Sequence, residues 1–335
     1  MSQQESNAVT VSHVSRAFGE RKALDDVSIS VPRGELVAFL GPNGSGKTTL
    51  FRILATLLEP DAGDVEVMGH AVGGNQAAVR GLLGIVFQKP SIDPFLSVGE
   101  NMLCQGRLYG LSGQSLADRI DRRLARFRLG DRINDRASVL SGGLQRRLEL
   151  AKGLLHDPRV LLLDEPSTGL DPAARAELMD ELTKLREEDG VTCLLTTHLM
   201  EEAQRCDRVA VLSEGKLVDF DTPANLKSRV GGDVIVMEPL SADSDATRKL
   251  ASNIDERFGL QARAVDGAVR IECPEGHRRV PELYEAFREK VDNIRVGPPT
   301  LSDVFFHLTG RPLIEKRDDL TDEARRSKGR RGRRR

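Results

Sequence analysis

No apolar run in this chain of 335 residues approaches the roughly twenty needed to cross a bilayer. The polar opening, residues 1–7, carries no secretory signal. Any work at a membrane must therefore lean on another chain that spans it. Cysteine is scarce as well. Cys104, Cys193, Cys206 and Cys273 lie without the spacing of metal ligands and read as reduced thiols of a cytosolic protein. The third absence is excess charge: Lys and Arg number 49 against 51 Asp and Glu, and the net of -2 offers no global attraction to nucleic acid or acidic lipid.

What the chain does have is GPNGSGKT at 41–48, placed between the apolar run 36–40 and the helix-like run 49–54. A strand, a glycine turn and a helix start aim unpaired backbone N–H groups and a helix dipole at one point, where phosphate oxygens can sit. Gly41, Gly44 and Gly46 let the backbone come close, because a Cβ there would block the anion or forbid the turn. Lys47 stands to neutralise the outer phosphates, and the Thr48 hydroxyl to hold Mg²⁺. The candidate nucleotide cradle is thus Gly41, Pro42, Asn43, Gly44, Ser45, Gly46, Lys47, Thr48 and Thr49.

A second element is acidic. The unbroken apolar run 160–163 ends in Asp164 and Glu165, the form of a buried parallel strand that delivers two acids to the C-terminal edge of a sheet. By itself such a strand could simply end in two surface acids. Beside the cradle it acquires chemistry: Asp164 would hold Mg²⁺ through water, and Glu165 would polarise the attacking water as general base. Farther along, LSGGLQRR occupies 140–147. Ser141, Gly142 and Gly143 precede a helical pattern, so their N–H groups form a second anion cap. This cap can reach only a phosphate supplied from elsewhere, which predicts a dimeric ATPase.

Phe18, GPNGSGKT, Gln88, LSGGLQRR, LLLDEP, Ser167 to Asp171 and His198 follow one another in the order and at about the spacings of a known family. Over residues 8–225 the chain resembles the nucleotide-binding domains of ATP-binding cassette (ABC) transporters. The resemblance implies an α/β fold of the P-loop NTPase class, and a head-to-tail homodimer with two ATP molecules at its interface. Each ATP would be held by one subunit's cradle and the other's LSGG segment. The resemblance also implies residue roles. Phe18 would stack on adenine, although a lone Phe is more often core. Gln88 would contact Mg²⁺ and the attacking water while linking to a helical subdomain, and His198 would meet the γ-phosphate and order the water beside Glu165. Ser167, Thr168, Gly169, Leu170 and Asp171 would communicate between the two sites. One position departs: the family motif reads LSGGQ, whereas Leu144 stands here and the glutamine follows as Gln145. Variants of this kind resemble the drug- and lipid-export ATPases typified by the daunorubicin-resistance group, and the segment 301–310 points the same way.

The first 35 residues show short strands with turn signals at 18–20 and 31–34, and predict an antiparallel lobe over the cradle's sheet. Residues 89–157 carry helical periodicity, with Leu124, Phe127 and Leu129 on one run and arginines on the other faces; they resemble the family's helical subdomain. The segment 91–109, with Phe95, Leu96, Met102 and Leu103, is expected to line a groove for a permease's cytoplasmic helix, though ordinary packing would also account for those residues. Past Pro223 the pattern reads as a strand at 233–237, a helix at 245–258, a hairpin of 262–265 and 269–271 about Asp266 and Gly267, a helix at 279–290 and a strand at 294–296. That βαββαβ order predicts a small α+β, ferredoxin-like module with a closing helix at 302–308. The expected domains are an ABC nucleotide-binding domain at 1–225, an accessory domain at 226–312 and a tail at 313–335. Within the tail, 325–335 holds eight basic residues of eleven and is expected to be disordered, as a solvated end, a contact for anionic lipid or a nucleic-acid arm.

Three functions compete for this pattern. The expected one is a cytoplasmic ATPase, peripheral at the inner face of the membrane, that powers a separate efflux permease with ATP and Mg²⁺. A soluble cassette acting on nucleic acid or the ribosome would usually carry two cassettes or long insertions between the cradle and LSGG. A non-hydrolysing, nucleotide-gated scaffold would not need Lys47, Asp164, Glu165 and His198 intact. The cargo is not legible, because in this family the translocation path belongs to the permease.

Overall fold

The computed structural model describes residues 7–313 except 242 and 266, so the basic run 325–335 lies outside the described residues. The chain divides at Leu226 and Lys227 into two compact units.

In the first unit, β1 (Val9–Phe18) and β2 (Arg21–Val31) pair antiparallel, and alternate residues such as Val9, Val11, Val27, Ile29 and Val31 are buried. These strands are ten and eleven residues long rather than short, because register shifts between Val11 and Ala17 let the ribbon bend without ending. β3 (Leu36–Leu40) leads to α1 (Lys47–Leu54), β4 (Ala62–Val67), β5 (His70–Ala71), α2 (Gln76–Leu82) and β6 (Leu83–Val86). β4 and β5 join the first sheet in the order β2-β1-β4-β5, a contribution from beyond the 35-residue strand pattern.

The chain continues through α3 (Val98–Leu108), α4 (Gly113–Arg126), α5 (Gly142–Gly153), β7 (Val160–Asp164), α6 (Pro172–Asp189), β8 (Thr192–Thr197), α7 (Met200–Ala203), β9 (Arg208–Ser213), β10 (Lys216–Asp221) and α8 (Pro223–Ser228). The central sheet has the order β10-β9-β3-β8-β7-β6, parallel except for β10 at one edge. β3, β7 and β8 are buried at every position, which is why their sequences are unbroken rather than alternating. Phe39 of β3 meets Phe51 of α1 edge to face with ring centroids 5.3 Å apart, a geometry that contributes about 0.5–1.5 kcal/mol beyond area burial. This strand order sets the C-terminal ends of β3, β8, β7 and β6 side by side, where ligands of open α/β sheets bind.

The helices α3 to α5 bury Val98, Met102, Leu116, Ile120, Leu124, Phe127 and Leu129. Met102 is therefore core and not part of an outward groove; Phe95 and Leu108, 82% and 83% exposed, are among the apolar residues that face solvent. Not every arginine is outward either, since Arg146 is buried. Among the described residues no helix is long and apolar enough to cross a membrane.

The second unit runs β11 (Asp233–Pro239), α9 (Ser244–Phe258), β12 (Ala262–Val265), β13 (Ala268–Cys273), α10 (Gly276–Phe287), β14 (Val291–Gly297) and α11 (Leu301–Thr309). Its antiparallel sheet has the order β12-β13-β11-β14, the arrangement of a ferredoxin-like βαββαβ module. Ile235, Met237, Leu250, Ile254, Val269, Ile271, Leu283 and Phe287 form its core. α10 runs Gly276–Phe287 rather than 279–290, and its first residue lies against the sheet, where a Cβ would stand 2.8 Å from Asp233 Cβ. Thr300 and Asp303 form a capping box at the start of α11, and Arg270 of β13 pairs with Asp303.

Candidate functional site

The site is built at the shared edge of β3, β8, β7 and β6. β3 turns at Gly41 into the loop that ends in α1, and Gly46 makes the final turn with φ 104, where a Cβ would stand 2.5 Å from Ala23 O. As N-cap of α1, Gly46 offers no side chain to the first amides, and the first turn holds no acidic residue. Those N–H groups stay available to an anion. Ser45 is 2% exposed, yet its Oγ has no hydrogen-bond partner, the mark of a polar group shaped for a ligand. Lys47 is buried too. Its Nζ donates to Gly41 O at 2.7 Å and Pro42 O at 2.9 Å, and burial pulls its pKa below the ordinary lysine range against the opposing charges of Glu165 and Asp164.

The two acids at the end of β7 are tightly placed. Asp164 Oδ1 accepts from Thr48 Oγ1 at 3.3 Å and from Thr196 Oγ1 of β8 at 2.7 Å. Glu165 N donates to the same Thr196 oxygen at 2.8 Å. Glu165 takes φ 45, a left-handed conformation that costs a non-glycine residue on the order of 1–3 kcal/mol. One carboxylate oxygen, Oε2, accepts from Gln88 Nε2 at 3.1 Å and Thr168 Oγ1 at 3.2 Å. The other, Oε1, lies 3.6 Å from His198 Nδ1, which is buried without a hydrogen-bond partner. Lys47, Thr48, Gln88, Asp164, Glu165 and His198 are thus gathered at one point.

Phe18, Asn43, Gly44 and Thr49 line the same cleft of about 290 Å³ with Lys47, Thr48 and Glu165. Phe18 is half-exposed at the end of β1, and the Arg16 guanidinium lies over its ring, 5.2 Å from the centroid. Sequence reasoning missed Arg21 and Thr196. Arg21 lines the cleft and donates to Gly44 O at 3.1 Å; only the β1–β2 pairing reveals it.

Ser141, Gly142 and Gly143 do not join this group. They line a separate concavity of about 500 Å³ with Leu144, Gly169, Leu170 and Asp171. Ser141 caps α5, its Oγ accepting from Leu144 N at 3.4 Å. Gln145 does not replace the amide missing at 144: its Nε2 donates to Ala137 O and Leu140 O at 3.3 Å and 3.2 Å, bracing the turn before the helix.

Residues 24–168 match the family described as ABC transporter. The chain is 39% identical to the daunorubicin resistance ATP-binding protein DrrA3 of Streptomyces coeruleorubidus over 90% of its own length and 96% of that protein's. It is 37% identical to the Nod factor export ATP-binding protein I of Bradyrhizobium diazoefficiens, over 91% and 97%. A solved ATP-binding cassette, a dimer in a post-hydrolysis state bound to ADP and Pi, shares 29% identity and a TM-score of 0.57 across 64% of this chain and 98% of that one. With this cleft and these relatives, the chain belongs to the ABC transporter family as an ATP-binding subunit that hydrolyses ATP.

Proposed function

We propose that the chain powers the export of a drug, lipid or similar amphiphile, driving a separate membrane permease from the cytoplasmic face through ATP-dependent, head-to-tail pairing of two copies. The observation that carries this reading is the separation of two half-sites: the Lys47 cleft and the Ser141 cap are lined by different residues and do not meet within one chain. A second copy, turned head to tail, would bring its Ser141, Gly142 and Gly143 amides over the outer phosphate held by the first. The export reading draws on the relatives, which are named for drug resistance and Nod factor export.

In this reading the α1 amides and Lys47 hold the outer phosphates, and Phe18 packs on the adenine. Among the described residues no cluster of three or more His, Cys, Asp or Glu is gathered for a metal, so a magnesium ion would rely on Thr48, Asp164 and Gln88 and on phosphate oxygens and water. The ion supplies charge stabilisation for the transferred phosphoryl group. Glu165 is the general base. Gln88 and Thr168 occupy Oε2 and leave Oε1, on the His198 side, free to take the proton of a water. The second unit has an accessory role in regulating or supporting the pair.

The test is Glu165→Gln. ATP affinity should stay, turnover should fall by about 10²–10⁴-fold, and light scattering should show a dimer that persists in magnesium ATP. Wild-type turnover in that variant would contradict Glu165 as base, and a monomer at saturating nucleotide would contradict the pairing.

A further inference from the structure

Helix α5 carries three charged side chains inward: Arg146 is 6% exposed, Glu149 2% and Lys152 8%. They satisfy one another and a single loop. Arg146 Nη1 donates to Glu149 Oε2 at 2.8 Å and to Phe87 O at 3.0 Å. Glu149 Oε1 accepts from Ser91 N at 2.8 Å, and Lys152 Nζ donates to Ser91 O at 2.6 Å. These contacts bracket Gln88, whose amide donates to Glu165. Beyond Ser91, Asn101 of α3 takes over, accepting from Asp93 N at 2.9 Å and donating to Asp93 O at 3.0 Å.

Buried charges are a poor way to gain stability, since apolar residues of similar volume often do as well or better. What they supply here is geometry: three directed contacts, to Phe87 O, Ser91 N and Ser91 O, fix both ends of the segment that carries Gln88. Burial raises the Glu149 pKa and lowers those of Arg146 and Lys152, each effect opposed by the neighbouring opposite charge. The same helix starts at Ser141, the cap that faces a second copy in the reading above.

We propose that Arg146, Glu149 and Lys152 are positioning residues for hydrolysis: they hold the 87–91 loop so that Gln88 meets Glu165, and they tie the Ser141 end of α5 to the carboxylate of the chain's own cleft. A phosphate engaged by one chain's cap is thereby linked to that same chain's other reaction centre. The inference rests on the assignment of Glu165 and Gln88 above.

The experiment replaces the ion pair with apolar volume, Arg146→Met together with Glu149→Leu, which removes both charges of that pair and leaves the Lys152 ammonium on Ser91 O alone. Hydrogen exchange at the Ser91 amide should accelerate by at least about ten-fold, kcat should fall by at least about ten-fold, and ATP affinity should stay within about two-fold. Placed on Gln88→Ala, the same double change should cost no more than about a further two-fold, because both act through one side chain. Glu149→Gln, which keeps an acceptor for Ser91 N but removes the charge that faces Arg146 and Lys152, should lose turnover to an extent between wild type and the double change. Lys152→Met, which drops only the Ser91 carbonyl contact, should show the same pattern more weakly. Full turnover despite fast exchange overturns the proposal, and so does a loss that multiplies independently with Gln88→Ala. Wild-type turnover in Gln88→Ala alone would bring down the site assignment and the route with it, a distinct result because that variant leaves all three α5 side chains in place.

Discussion

The Lys47 cleft and the Ser141 concavity are both built around the start of a helix, and they differ in how that start is closed. At the first, α1 has no side-chain cap, Ser45 Oγ and His198 Nδ1 are buried without partners, Lys47 is turned onto backbone carbonyls and Glu165 is held left-handed. At the second, Ser141 caps α5, Asp171 caps α6 by accepting from Ala174 N at 2.9 Å, and Arg147 pairs with Glu177 at 2.6 Å. Elsewhere helix starts are closed more fully still, by capping boxes at Ser97 with Glu100 and Thr300 with Asp303. Two unpaired polar atoms, Ser45 Oγ and His198 Nδ1, and the left-handed backbone of Glu165 thus fall where a phosphate and a water must be handled. The Ser141 concavity has a left-handed residue of its own, Arg128 at φ 56, and Arg126 Nη2 is buried there without a hydrogen-bond partner, but the helix start itself is closed by Ser141.

That contrast can be broken from either side. The largest expected effect comes from Ser141→Arg, which places bulk and charge on the cap without touching the cleft. Turnover should fall by more than about 100-fold, while nucleotide affinity of the single chain, read by calorimetry, should change by less than about two-fold. Lys47→Ala should do the reverse at the binding step, weakening ATP by about 10–100-fold through loss of a charge-assisted contact. Parallel losses of affinity in both variants would erase the distinction between the two regions. The smallest effect belongs to Leu144→Gln. Because Gln145 already braces the turn before α5, restoring the family's amide at 144 should move turnover by no more than about two-fold in a steady-state assay.

Local chemistry in the sequence carried the cradle, the acidic strand end and the second cap, since each is a strand, a turn or a helix start readable within about ten residues. The second unit's βαββαβ order was legible for the same reason, from alternation and turn residues. Phe18, Gln88 and His198 were placed by resemblance, not by any local pattern. What stayed hidden depends on strand order. Thr196 reaches Asp164 across 32 residues of sequence, and Ser91 reaches Glu149 across 58. Arg146, Glu149 and Lys152 look like the polar face of an amphipathic helix, because sequence periodicity cannot tell a solvated charge from one paired in the interior.

The central claim, that a working reaction centre needs the cleft of one copy and the cap of another, is tested most directly by mixing two inactive variants. Lys47→Ala lacks competent clefts and Ser141→Arg lacks competent caps, so each alone should be silent. Combined in equal amounts and allowed to exchange subunits, half of the pairs are mixed and each carries one intact cleft facing one intact cap, which predicts recovery of about one quarter of wild-type turnover. A mixture as silent as its two components would contradict the account.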